Sequence, residues 1–385
     1  MLKLLPFLYM VSFSLSGWSQ GLPVIVPASA RIPLDSLQKQ QMVHSLDGLL
    51  GGLSGAYKDN AFIPADYLPE TSGLLDEVKG MDNPLPGMVA PCHCYLTNVS
   101  RIDSNDYIVQ FSYLGIRDTT PVLRASFKLV ARREGQGFVF HSPLRRNTVG
   151  WSTTRFDDFA FHCSNYNLDE SLVRSYIAKA HEFDAKLHAP AYQTEFFCCG
   201  SFPEALEALG VDYKLDYNGI GSEGLTAFEQ RTSLHVVGGT GSTTFDYHDL
   251  WHDRLHAVVP VNTINKLIDE ACAYLYGGSW GLTWEEIFRQ FKLYMGDNRD
   301  WLKAFDENSN FARPNQNHLY VSYVITALLV KKIEKEKGFP AVLQLLTCGK
   351  YRKDNENYFQ ALDKIVGVNR SNFNATVENL FESQL

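Results

Sequence analysis

The 385-residue chain carries little charge of one sign. Its net charge is -8 and its basic residues gather no further than the short KKIEKEK stretch, so it offers no electrostatic footprint for a phosphate backbone. No nucleic-acid partner is expected. Long hydrophobic runs are missing after the first twenty residues, and a spanning helix needs about 20 apolar residues, which excludes a later transmembrane segment. Internal repeats and low-complexity segments are absent too, which argues against solenoids and disordered tracts. The seven cysteines, at 92, 94, 163, 198, 199, 272 and 348, include a C-x-C and a C-C without a second matching pair. That spacing does not make a zinc ribbon or knuckle, and they read as structural or disulfide residues, with an odd one left over.

What is present suffices for ordinary cores. Hydrophobic residues make up 45%, charged residues 20%, and there are 24 Phe, 19 Tyr and 6 Trp, a globular composition whose length suggests two domains. The first residues run Met1, Leu2, Lys3, an apolar stretch from Leu4 to Leu15, then Ser16, Gly17, Trp18, Ser19 and Gln20. A charged start, a short apolar core and small residues at a cut describe a secretory signal peptide over residues 1–19. The mature chain is thus expected to be exported, to a periplasm or the exterior, with no membrane span after cleavage.

The texture of the rest changes once. From Leu34 to Tyr57 apolar residues recur at helical spacing, and CYLTNV, YIVQFSYLGI, VLRASFKLVARRE and GFVFHSPL then read as an antiparallel sheet. Residues 28–150 are expected to form an accessory α+β domain, similar in architecture to cystatin or nuclear-transport-factor-like folds. In residues 151–385, after a turn-like RRNTVGWSTTRFDD, strands are expected at FAFHCS, TEFFCC and LHVVGG and a helix at LDESLVRSYIAKAHEFDAKLH. From His248 onward the pattern is almost wholly helical, with breaks at Pro260, Gly277-Gly278, Gly296-Asp297, Pro314, Gly338-Phe339-Pro340 and Gly349. The fold class is α+β, a small sheet plus a helical bundle following the accessory domain.

Chemistry concentrates in YHDLWHDRLHAVVP and INKLIDEACAYLYGG. His248 and His252 are four residues apart, one helical turn, so two imidazoles share a face and can hold one metal. Glu270 follows His252 after 17 intervening residues, enough for a turn and a returning helix that brings a carboxylate to the same ion. Two imidazoles and a carboxylate leave a fourth position open for water, the arrangement of a catalytic zinc. His252 and His256 form an overlapping pair in HDRLH, but only 13 residues would then separate it from Glu270. Asp246 and Asp269 are placed to fix an imidazole tautomer.

The order His-x-x-x-His, this gap, then Asp-Glu-x-x-Ala-x-Tyr resembles the gluzincin zinc metallopeptidases, the thermolysin and aminopeptidase N group, and most closely the peptidase MA-like proteins of bacterial envelopes. DEACAYLYGGSWGLTWEEI is similar to their second active-site helix and glycine turn, and NHLYVSYVITALLVKKIEKEKGFPAVLQLL to a later helix that begins with Tyr. The resemblance covers roughly residues 150–385. It implies one Zn²⁺ per chain on His248, His252 and Glu270, a peptide or protein substrate, and an oxyanion-stabilising phenol at Tyr320. The sequence departs at Asp249, where those peptidases carry Glu as general base. The carboxylate is the same and its stem is one methylene shorter, and a base must come within about 2.6–3.2 Å of its proton or use a relaying water. Two readings stay open, an exported zinc-dependent peptidase with Asp249 as base, or an inactive metal-binding or peptide-binding protein on a peptidase scaffold. The Gly-x-Met-Glu-Asn amine anchor of aminopeptidases is absent.

Overall fold

The computed structural model describes residues 23–88, 90–164, 168–221, 224–241, 244–312 and 318–383. The expected leader and Pro314 lie outside them. The fold is α+β, and the chain divides into two compact units, residues 1–149 with 206–220 and residues 150–205 with 221–385.

In the first unit, α1 (Ser36–Gly51) starts at Asp35, whose carboxylate accepts from the Gln38 amide at 2.8 Å. That cap satisfies a helix-start donor left without an intrahelical acceptor. Met42, Leu46 and Leu49, spaced by three and four, are buried, and the helix lies against the sheet at β4. The sheet is an antiparallel meander of β1 (His93–Arg101), β2 (Asp106–Arg117), β3 (Thr120–Glu134) and β4 (Gly137–His141). Before it stands α2 (Leu68–Val78), which the sequence pattern did not announce. Most of its residues are buried, even Glu70, which accepts from Arg145 Nε at 2.8 Å. The one-turn α3 (Leu144–Asn147) closes this part of the chain.

The stretch taken from sequence as turn-like holds both that turn of helix and an edge strand, β5 (Ser152–Phe156), whose side chains are exposed up to Phe156. An exposed edge carries no hydrophobic alternation to read. It pairs with β6 (Phe159–Cys163). The amphipathic α4 (Glu170–Leu187) follows, capped by Asp169, with Val173, Tyr176, Ile177, Ala180, Phe183 and Leu187 inward. β7 (Gln193–Cys198) comes next, then α5 (Phe202–Leu209), within which the chain leaves the second unit. Residues 206–220 belong to the first unit, where β8 (Val211–Lys214) pairs with β3. The sequence reading had assigned them to the second segment, because a contiguous split cannot register a chain that crosses over and returns.

On return, β9 (Gly224–Glu229) and β10 (Thr232–Val237) complete a sheet of order β5-β6-β7-β10-β9. β6, β7 and β10 run parallel and are buried along most of their length, with antiparallel edges on both sides. That burial explains their continuous apolar and aromatic content. Helices alone follow: α6 (Tyr247–Val258), α7 (Lys266–Tyr276), α8 (Trp284–Met295), α9 (Trp301–Glu307), α10 (Val321–Lys337), α11 (Phe339–Leu346), α12 (Glu356–Val366) and α13 (Phe373–Glu382). α10 is the centre of the bundle, buried along nearly all of Val321–Val330 and packed on α7, α11, α13 and α9. Among the described residues no helix is long and apolar enough to cross a membrane.

Candidate metal centre

The site is built on α6 and α7. Asp246 starts α6 by accepting from the His248 amide at 2.7 Å, and Asn265 starts α7 by accepting from Leu267 N at 3.2 Å. Asn265 also donates its backbone N–H to the Leu346 carbonyl at 2.8 Å and its side chain to the Gly349 carbonyl at 2.9 Å, which ties the start of α7 to the end of α11 and the turn after it. Trp251 is fully buried on α6, with Phe183 of α4 and Tyr276 of α7 at ring separations of 5.4 and 4.9 Å. The two helices meet where α7 ends. A Cβ on Gly277 would lie 2.4 Å from the Tyr247 carbonyl oxygen, so only glycine lets the first turn of α6 come this close.

That approach orients the histidines. Gly278 adopts φ +82° and its carbonyl faces His248 Nδ1 at 2.8 Å. A carbonyl only accepts, so Nδ1 carries the proton and Nε2 is left as a bare lone pair. On His252 the Asp269 carboxylate does the same, 2.9 Å from Nδ1. The two Nε2 atoms then face each other at 3.3 Å, and Glu270 Oε2 lies 3.5 Å from His248 Nε2. His248, His252 and Glu270 place ligand atoms within 4.8 Å of one another. Two bonds of about 2.0–2.1 Å meeting at the tetrahedral angle separate their donor atoms by about 3.3–3.4 Å, so the spacing suits one zinc. The donor set, two imidazole nitrogens and a carboxylate oxygen, suits it as well.

A second trio, His252, His256 and Asp269, also lies close together, but its distances describe hydrogen bonding. Asp269 takes His252 on Oδ1 and His256 Nε2 on Oδ2 at 3.2 Å, and Trp251 Nε1 donates to Oδ1 at 3.1 Å. Its carboxylate is fully used as an orienting acceptor. Of the two carboxylates expected to hold a tautomer, Asp269 lies on His252, while Asp246 caps α6 instead.

The charges follow this arrangement. Burial alone would raise Asp269, but the hydrogen bonds from His252 and His256 hold it down to about 2. Burial also opposes ionisation of Glu270, and contact with His248 and the charge of His252 reverse that, leaving it below the usual carboxylate range. His248 is shifted up, burial being outweighed by Glu270 and the Gly278 carbonyl. Asp253, one position beyond His252, is pushed up to about 7 by burial and by the charge of Asp249.

Asp249 lies in the first turn of α6 on its exposed face, and among the described residues no hydrogen bond or ion pair engages its carboxylate. It is near enough to the site for its charge to favour protonated His248. Tyr320 precedes the first residue of α10, its ring stacked on His318 at 5.9 Å and 5.4 Å from Tyr323. Two further phenols stand by the centre. The Tyr274 ring is 5.8 Å from His248, and its oxygen lies 3.4 Å from the Tyr320 amide and 3.5 Å from the His318 carbonyl. Tyr323 packs edge-on to Tyr274 at 5.4 Å, makes no side-chain hydrogen bond among the described residues, and burial and the charge of Glu270 both push its phenol up, to about 12. Sequence reasoning gave Tyr323, three residues past Tyr320, no role in the site. It also missed the Gly278 carbonyl, for which the glycine pair was the only signal.

In comparisons with known proteins, no family model and no curated protein matches the chain.

Proposed function

We propose that the chain is an exported zinc-dependent peptidase of gluzincin type, with His248, His252 and Glu270 holding one Zn²⁺. The observation that carries this reading is the pair of Nε2 atoms at 3.3 Å. Both rings turn Nδ1 to an oxygen acceptor and Nε2 to the same partly buried gap, so the gap takes a shared cation, and a zinc ion there would meet two imidazole nitrogens. A zinc ion held there supplies Lewis acidity, bringing a water's pKa toward neutrality and polarising a peptide carbonyl.

The residues divide the remaining work. Asp269 and the Gly278 carbonyl hold the imidazoles in the ligating tautomer. Asp249 takes the proton from the attacking water and returns it to the leaving amine. Tyr323 donates its phenol to the oxygen on which charge develops, with Tyr320, the residue expected for this from sequence, stacked on His318 beside it. A second reading, a metal-bearing protein that binds peptides without cleaving them, is favoured by one observation, the short and unengaged carboxylate of Asp249.

A mixed peptide library incubated with zinc-loaded protein and read by mass spectrometry decides between them. The peptidase reading expects cleavage by wild type, loss of about 10²–10⁴-fold in Asp249→Asn, and equal or greater turnover in Asp249→Glu. Cleavage undiminished in Asp249→Asn removes Asp249 from the mechanism. Silence from all three overturns the peptidase reading.

A further inference from the structure

The sheet of the second unit carries a feature that the metal centre does not use. β6 ends at Cys163 and β7 ends at Cys198, and the two residues are direct partners in the parallel ladder. Paired strands stand about 4.7–4.9 Å apart, inside the span of about 4.4–6.8 Å between the Cα atoms of a disulfide. Register partners project from the same face, and both side chains enter the hydrophobic core, 2% and 0% exposed. Both are free thiols in this structure. Both strands end there, and one further backbone bond, from Ser164 N to the Cys198 carbonyl at 3.3 Å, holds their ends together.

Three of the other cysteines have contacts of their own. Cys199 directs its sulfur at the Phe197 carbonyl, Cys94 contacts Tyr113, and Cys348 accepts from Asn265.

We propose that Cys163 and Cys198 form a disulfide, closed by exchange with a small disulfide oxidant such as glutathione disulfide, that locks the ends of β6 and β7. The Cys163 thiolate attacks one sulfur of the oxidant, breaking its S–S bond and releasing one glutathione. The Cys198 thiolate then attacks the mixed disulfide at the Cys163 sulfur and expels the second. Two electrons pass from the cysteine pair to the oxidant, and the two thiol protons end on the released glutathiones. The exchange balances equally when Cys198 attacks first. Both sulfurs are buried in the finished sheet, so exchange precedes closure of the core, and the completed bond is shielded from reductants until the unit unfolds.

The full chain is refolded in a buffer of reduced and oxidised glutathione, alkylated in denaturant, digested and mapped by mass spectrometry. Of the seven cysteines, both members of this pair are expected to escape alkylation unless the sample is first reduced, and their peptides are recovered as one cross-linked species. Cys199→Ser retains the link, Cys198→Ser loses it, and dithiothreitol opens it far faster in denaturant than in the native chain. Alkylation of Cys163 and Cys198 without reduction overturns the proposal, as does a link from Cys163 to Cys199.

Discussion

Gly277→Ala tests whether the contact between α6 and α7 sets the metal geometry. The added Cβ meets Tyr247 O at 2.4 Å, Tyr247 C at 2.6 Å and His248 N at 2.8 Å, all of them backbone atoms that cannot swing aside, while ordinary contact begins near 3.4 Å. The first turn of α6 must therefore back away from α7 by about 1 Å, several times the tolerance of about 0.2 Å on metal–ligand distances. Overpacking of this kind costs about 1–3 kcal/mol. The displacement falls on His248 and on its bond to the Gly278 carbonyl, and disturbing such an orienting contact lowers metal affinity about 10–100-fold. Zinc affinity by chelator competition and thermal unfolding of the apoprotein are the assays, with Gly51→Ala as control, since nothing lies within 4 Å of a Cβ there. Zinc affinity in Gly277→Ala equal to wild type would refute the claim that this close approach positions His248.

Asp269→Asn should destabilise the apoprotein by about 2 kcal/mol near neutral pH. The folded carboxyl is held at about 2, below its ordinary 3.8, so its contribution is present above pH 3.8 and is lost as pH falls through 2; equal urea midpoints at pH 6 would contradict it. If Tyr323 donates to the developing oxyanion, Tyr323→Phe lowers kcat about 10²–10³-fold with zinc content unchanged, and Tyr320→Phe lowers it less. The reverse order in steady-state kinetics returns the role to Tyr320.

That His248, His252 and Glu270 come together was legible because the signals are local. His248 and His252 sit one turn apart, and Glu270 stands among Ile268, Ala271 and Ala273, where an unpaired charge is costly. The central strands β6, β7 and β10 were legible as apolar and aromatic runs. Signals with distant partners were not. α2 is buried nearly all round and so has no amphipathic stripe, and its Glu70 is matched by Arg145, far along the chain. β8 has only four residues and pairs with β3 from beyond the second unit's first strands. The Gly278 carbonyl is a backbone atom, which no residue type announces. Tyr320 caps α10 and Tyr323 lies in its first turn, and their spacing alone does not tell which phenol the charge of Glu270 reaches.

The central claim, one zinc on His248, His252 and Glu270, is tested most directly by elemental analysis of the purified protein beside three variants. The account predicts about one zinc per chain in wild type and in His256→Ala, and its loss in His248→Ala and Glu270→Ala. The same trace of metal in wild type and in both ligand variants, or loss in His256→Ala alone, would contradict it.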